Sequence, residues 1–287
     1  MNSANLTPNP HAFHSKWDMN AIVGSHDILF LVLDALRFDV AEAEMCAART
    51  PNFAKIAPHG WEKRHTPGSF TYAALHSFFA GFLPTPAEPG GSRHERLFAV
   101  RFAGSETIGP RTKIFEAGSI VAGLRGEGYR TICIGGVGFF NEQTALSQVF
   151  PNMFCEAHWK ISFGVTDPNS TERQFSRAAD RIAATSAQQP LFLFVNVSAI
   201  HQPNYFYARQ SGPDDLESHA AALRYVDAQL PALFRGFARR QRPLFAIICS
   251  DHGTAYGDDG YAGHRLAHPC VWNVPYWEGI VNTTDFS

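Results

Sequence analysis

The residues best equipped for chemistry stand in Ser250-Asp251-His252-Gly253, where the apolar run Pro243-Leu-Phe-Ala-Ile-Ile-Cys249 stops abruptly. A carboxylate and an imidazole side by side at the end of a buried strand can both turn to one metal ion. Alone, such a pair reads as a polar turn. The rest of the chain supplies groups to match it. Asp34 closes a second apolar run, Asp27-Ile-Leu-Phe-Leu-Val-Leu33, and His201 follows a third, Pro190-Leu-Phe-Leu-Phe-Val-Asn-Val197. Thr71 opens the helical pattern Thr71-Tyr-Ala-Ala-Leu-His-Ser-Phe-Phe-Ala-Gly81, and His264 lies in Gly263-His-Arg265. Asp34, Thr71, Asp251 and His252 make a mixed oxygen and nitrogen donor set that suits Zn²⁺ or Mn²⁺ better than a thiolate site does. A metal on the Thr71 hydroxyl would lower its pKa and make it a nucleophile near neutral pH.

The elements that must position these groups follow from hydrophobic pattern. The three apolar runs, together with Arg130-Thr-Ile-Cys-Ile134, read as strands buried on both faces. Between them lie helical segments over 120–128, over 169–183 with a capping box at Asn169-Ser-Thr-Glu172, and over 214–240, which Pro231 should kink or divide. A short helix opens at Thr50-Pro51, and the spacing of Ala74, Leu75, Phe78 and Phe79 puts one apolar face on the helix that Gly81 ends. Thr71 therefore stands where free backbone N–H groups attract anions. Gly135-Gly-Val-Gly138 has no Gly-x-Gly-x-x-Gly pattern and no following Lys-Ser/Thr, so it is read as a tight turn and not a phosphate loop. Alternating strands and helices predict an α/β fold, a three-layer α/β/α sandwich about a mainly parallel sheet. Residues 1–24 read as an irregular leader, 25–287 as a single domain, and 84–112 as a surface loop or lid.

With 45% hydrophobic and 17% charged residues, the chain can fill a large interior, and a net charge of −2 gives no electrostatic case for nucleic acid or an anionic membrane. The first ten residues lack the basic start and apolar core of a signal peptide, and no apolar stretch approaches membrane-spanning length. Five cysteines without paired spacing, two of them (Cys133 and Cys249) inside core strands, lead us to expect a reduced, cytoplasmic protein.

These pieces, in this order, resemble the alkaline phosphatase/sulfatase superfamily across most of residues 27–280. Asp34 sits in Leu31-Val-Leu-Asp-Ala-Leu-Arg37, and Thr50-Pro-Asn-Phe53 resembles the family's Thr-Pro-Asn-Leu. Ser77-Phe-Phe-Ala-Gly81 follows Thr71 by six residues, as Ser-Leu-Leu-Thr-Gly follows a sulfatase nucleophile. His201-Gln-Pro-Asn-Tyr205 resembles His-x-Pro-x-Tyr, and Ser250-Asp-His-Gly253 is similar to the family's metal motif. The departures matter too. Sulfatases carry Cys or Ser, converted to formylglycine, where Thr71 stands, and threonine cannot yield that aldehyde. Ala35 replaces the second Asp of their Asp-Asp pair, and no Lys-x-His follows the Ile134 strand.

A threonine nucleophile looks more like that of phosphoethanolamine and glycerol-phosphate transferases and of phosphodiesterases. The resemblance implies Asp34, Thr71, Asp251 and His252 as metal ligands, with Zn²⁺ first and Mn²⁺ second. It implies His201 and His264 as groups that bind phosphate or protonate the leaving group, with His268 the alternative to His264 in the same loop. Thr66 and Ser69 are the rival hydroxyls to Thr71. Arg37 and Asp39 are read as a structural pair. The expected activity is hydrolysis of a small anionic phosphoric ester through phospho-threonine. The alternatives are transfer to an alcohol acceptor, sulfate-ester hydrolysis without formylglycine, and a non-catalytic metal-binding relative.

Overall fold

A computed structural model describes residues 17–83, 96–98, 101, 112–114 and 118–286. The chain runs α1 (Met19–Ile22), β1 (Asp27–Leu33), α2 (Phe38–Cys46), α3 (Pro51–Ile56), β2 (Glu62–His65), α4 (Thr71–Ala80), β3 (Arg96–Phe98), β4 (Thr112–Ile114) and α5 (Ile120–Gly126). It continues with β5 (Arg130–Ile134), β6 (Glu156–His158), α6 (Ser170–Ala184), β7 (Leu191–Val197), α7 (Leu216–Ala238), β8 (Leu244–Cys249), β9 (Ala255–Tyr256), β10 (Ala262–Gly263), α8 (Pro269–Trp272) and β11 (Asn273–Val281).

Seven strands form one sheet in the order β2-β11-β8-β1-β7-β5-β6. The neighbours from β8 to β6 pair in parallel, and β11 runs antiparallel to both β8 and β2. The sheet is thus mainly parallel with helices on both faces, as the sequence pattern predicts. Strand parity sorts the core into two layers. Leu29, Leu31 and Leu33 of β1 face one cluster with Leu191 and Leu193 of β7, Phe175 and Ile182 of α6, and Leu223, Leu230 and Phe234 of α7. Ile28 and Val32 face the other, with Phe192 and Phe194, Tyr72, Leu75 and Phe79 of α4, and Val121 of α5. Among the described residues no helix is long and apolar enough to cross a membrane.

Several local expectations are corrected. Of the irregular leader expected over 1–24, residues 1–16 lie outside the described residues; the remainder contains α1, whose Ile22 is buried, and Trp17 packs edge-on against Phe245. Asn169 makes no side-chain cap at α6; the Tyr225 hydroxyl accepts from the Glu172 amide there at 3.2 Å. A capping box does occur at α7, where Asp215 and Ser218 bond each other's backbone N–H groups. Helix α7 runs unbroken through Pro231. Proline lacks the N–H that would serve the Asp227 carbonyl, and Asn52 Nδ2 donates to that carbonyl instead at 3.0 Å. The Asp227 carboxylate in turn accepts from the Asn52 and Phe53 amides at the start of α3. The Thr50-Pro-Asn motif is therefore a latch between α3 and α7. Of the 84–112 segment only β3, Arg101 and Thr112 lie within the described residues, and β3 pairs in parallel with β4.

Candidate active site

The site forms at the carboxyl ends of β1, β7 and β8, the edge of a parallel sheet where ligands bind. The parity that puts Ile28, Val32 and Phe245 on the α4 face continues to Asp34, Asn196 and Asp251, so all three point toward the first turn of α4. There Thr71 is the first helical residue, behind Phe70, which caps without a side-chain bond. The loop after β8 must pass close to α8. A Cβ on Gly253 would lie 2.0 Å from the Cys270 carbonyl oxygen, so only glycine fits this approach.

The structure brings Asp34, Thr71, Asp251 and His252 together, all buried. Thr71 Oγ1 donates to Asp34 Oδ2 at 3.2 Å and lies 3.4 Å from His252 Nε2. His252 Nε2 is 3.5 Å from Asp34 Oδ1 and 3.7 Å from Asp251 Oδ2. His252 Nδ1 donates to the Gly253 carbonyl at 2.8 Å, which leaves the Nε2 lone pair facing the carboxylates. Asp251 Oδ1 accepts from the Ala35 and His252 amides at 3.3 and 3.1 Å. Ala35 adopts a left-handed φ of 65° in doing so, a conformation that costs a non-glycine residue about 1–2 kcal/mol.

Burial and the neighbouring Asp34 charge push the Asp251 carboxyl well above its ordinary range, while burial pulls the His252 imidazole down and keeps it neutral. Asp34 Oδ1 and Asp251 Oδ2 have no hydrogen-bond partner among the described residues. Two buried carboxylate oxygens facing a neutral imidazole nitrogen, with one ligand atom from each residue within 4.8 Å of the others, fit a divalent cation.

The outer histidines also arrive. The His264 ring centroid is 4.6 Å from that of His252 and 5.1 Å from that of His201. Burial first, then His252 and His201, pull the His264 pKa to about 4. His268 is elsewhere: it caps α8 and pairs with Asp259 at 3.1 Å. Neither rival hydroxyl reaches the cluster. Thr66 Oγ1 donates to the Asp251 carbonyl, and Ser69 takes part through its carbonyl, which accepts from the Arg265 amide at 2.8 Å. Arg37 pairs with Asp39 at 2.6 Å, as expected, and also with Asp258 at 2.8 Å.

Two residues went unnoticed in the sequence. Asn196 Nδ2 donates to Asp34 Oδ2 at 3.0 Å while its Oδ1 accepts from the Val137 amide at 3.1 Å. Its signal was a lone amide in a strand buried on both faces, which must find partners. Gly136 lies so near that a Cβ there would sit 2.4 Å from the Asn196 carbonyl oxygen, so the glycine turn after β5 is packing against this strand. Arg265 is the other: its guanidinium lies over the Phe70 ring, 5.1 Å from the centroid, beside Thr71. From these groups a cleft of about 520 Å³ opens, lined by Thr71, His201, His264 and Arg265 and by the segments around 136–147 and 159–166.

Comparison with known proteins agrees with this architecture. No curated protein sequence matches the chain. The zinc complex of the C-terminal periplasmic domain of EptC from Escherichia coli superposes with TM-score 0.61 at 11% identity, covering 90% of this chain and 74% of that one. The corresponding domain of the phosphoethanolamine transferase EptC from Campylobacter jejuni gives TM-score 0.58 at 12% identity, over 91% of this chain and 81% of that one. A protein of the alkaline phosphatase superfamily from Vibrio parahaemolyticus gives TM-score 0.59 at 19% identity, over 90% and 60% of the two chains. The sulfatase family model matches residues 26–276. With that match over most of its length, the chain belongs to the sulfatase family, whose members act on ester bonds.

Proposed function

We propose that the protein is a metal-dependent hydrolase of phosphoric esters that works through a phospho-threonine intermediate. The observation that carries this reading is the Thr71 hydroxyl, at the start of α4 and within 3.2 Å of Asp34 and 3.4 Å of His252. Asp34, Thr71, Asp251 and His252 would hold the ion, Zn²⁺ in first place, and bound there it supplies the positive charge that acidifies a hydroxyl and offsets phosphoryl charge.

The chain's own groups do the rest. Asp34 accepts the Thr71 hydroxyl proton in a hydrogen bond and orients Oγ1 toward the cleft. As Oγ1 attacks phosphorus its proton passes to Asp34 Oδ2, the ester P–O bond breaks, and the leaving alkoxide departs on the opposite side. Backbone N–H groups at the start of α4 face the charge that develops. His264 or His201 protonates the alkoxide, and the anionic phosphoryl group beside them favours the imidazolium that must give up that proton. Water then gives a proton to the histidine left neutral and attacks phosphorus, the bond to Oγ1 breaks, and Oγ1 regains its proton from Asp34 as phosphate leaves.

Transfer of the phosphoryl group to an alcohol differs only in the acceptor of this last step, and the likeness to a phosphoethanolamine transferase favours it as the second reading. Sulfate-ester hydrolysis by formylglycine is closed to a threonine. The test is turnover of aryl phosphate mono- and diesters and of aryl sulfate in Zn²⁺- or Mn²⁺-supplemented buffer. Wild type should turn over a phosphate ester, with Thr71→Ala reducing kcat by about 10³-fold or more, and mass spectrometry of acid-quenched enzyme should find phosphate on Thr71. Undiminished turnover by Thr71→Ala refutes the nucleophile, and turnover of sulfate esters alone refutes the substrate class.

A further inference from the structure

The cleft beside Thr71 has a chemical character of its own. Its walls are Val137, Phe139, Leu146, Trp159, Ile161 and Val165. Ile161, at 79% the most exposed large hydrophobic side chain among the described residues, and Leu146, at 42%, stand on the same cleft and extend its apolar surface. Phe139 packs on Tyr72 at 5.2 Å and faces Phe70 at 6.4 Å, so this apolar wall runs without a break to the start of α4. The polar groups of the walls are largely occupied. The Trp159 indole N–H donates to the Gly136 carbonyl at 3.1 Å, and the Thr144 and Ser147 hydroxyls lie 3.0 Å apart, bonded to each other.

Charge in the cleft has one sign. Among the described residues no carboxylate lines it, while Arg265 does. The Arg265 guanidinium has a ring contact with Phe70 and no ion pair among the described residues. Two acids adjoin lining residues along the chain, and neither is in the lining itself: Glu142, which is exposed, and Asp167, which is engaged by Arg173 at 3.4 Å and by the Asn169 amide at 2.8 Å. An ammonium group entering here would leave water, meet a guanidinium, and find no carboxylate on the walls to pair with.

We infer that the cleft receives the organic half of the ester and selects an uncharged aromatic or apolar alcohol over a cationic amino alcohol, with Arg265 facing the phosphoryl anion. This inference rests on the phosphoester reading. It sets the protein's substrate apart from the phosphoethanolamine named for the structural neighbour from Campylobacter jejuni.

The test compares benzyl phosphate with 4-(aminomethyl)benzyl phosphate, whose alcohols are close in acidity and differ in charge, at pH 7 in Zn²⁺-supplemented buffer. Wild type should favour benzyl phosphate by about tenfold or more in kcat/KM. Ile161→Asp should shrink that ratio several-fold and Ile161→Lys should widen it; at 79% exposure the position tolerates either charge without loss of the fold. Equal or reversed preference in wild type overturns the inference, as does a ratio that neither variant moves. If no phosphate ester turns over, the phosphoesterase reading fails by itself, and the cleft is then read by titration calorimetry. Benzylphosphonate binding about tenfold tighter than its 4-aminomethyl analogue supports the inference, and equal Kd values overturn it.

Discussion

Asn196 shows how one side chain can prepare a reactive group without touching substrate. It holds Asp34 from β7 by a 3.0 Å bond and is itself anchored on the Val137 amide, so the Asp34 carboxylate has one oriented oxygen and one left open. Groups that orient metal ligands in this way typically account for about 10–100-fold in affinity. Asn196→Ala should therefore weaken Zn²⁺ binding by that factor in a chelator competition, with far-UV circular dichroism unchanged. A second residue-scale prediction concerns two buried histidines. Burial, with Arg37 adding to it, lowers the His219 pKa from 6.5 to about 3, and burial lowers that of His76 to about 4. His219 accepts the Arg37 N–H on Nε2 and donates from Nδ1 to the Tyr256 hydroxyl, so only the neutral ring fits. A folded pKa below the unfolded one means that the unfolded chain binds more protons. The stability is complete above pH 6.5 and is lost as pH falls toward 4, at up to about 1.4 kcal/mol per pH unit for each ring. Urea midpoints at pH 7.5 and 5.5 should show the loss, and a His219→Gln variant should lose less between the two.

At the scale of elements, the latch between α3 and α7 answers a defect that Pro231 creates. A proline inside a helix strips the carbonyl four residues earlier of its donor, yet α7 continues because Asn52 supplies one to Asp227. Asn52→Ala should destabilise the wild type by about 1–2 kcal/mol, since the Asp227 carbonyl then loses its partner. In a Pro231→Ala background the helix regains its own N–H, and the same change should cost less. A double-mutant cycle in urea measures the difference, and strict additivity would refute the latch. The Pro231 signal was legible in the sequence, and its consequence was not, because the compensating donor comes from a different helix. The capping box was likewise legible in kind and misplaced in position: Asp215-x-x-Ser218 has it, whereas at Asn169 the Tyr225 hydroxyl has already taken the Glu172 amide.

For the whole molecule, the two ends of the sheet divide the work. The carboxyl ends of the parallel strands gather the reactive cluster. The opposite end is closed by Asp27 and Arg240, a buried pair at 2.6 Å in which Arg240 also donates to the Thr185 and Gln189 carbonyls and Asp27 accepts from the Leu191 amide. Arg240→Met would leave Asp27 buried without its cation at a cost of about 3–5 kcal/mol. Thermal unfolding should fall by roughly 5–15 °C, while the KM for a phosphate ester stays as in wild type.

By itself the sequence determined the strands β1, β5, β7 and β8 and the helix behind Thr71, because strands covered on both faces require near-continuous apolar runs and α4 has a helical apolar face closed by Gly81. Its polar stops also marked which residues were available for chemistry. Strands β2 and β6, short and with polar or charged residues, had no such pattern, and β11 carries a proline, so the sheet's outer strands were illegible. Only the tertiary structure decided which polar groups meet. Ala35 and Asp251 are 216 positions apart in the chain, and their contact depends on β1 and β8 pairing in one register. A shift of one residue in either strand would turn its carboxylate to the opposite face of the sheet, away from Thr71. Register is a property of paired strands, and no single strand's sequence contains it.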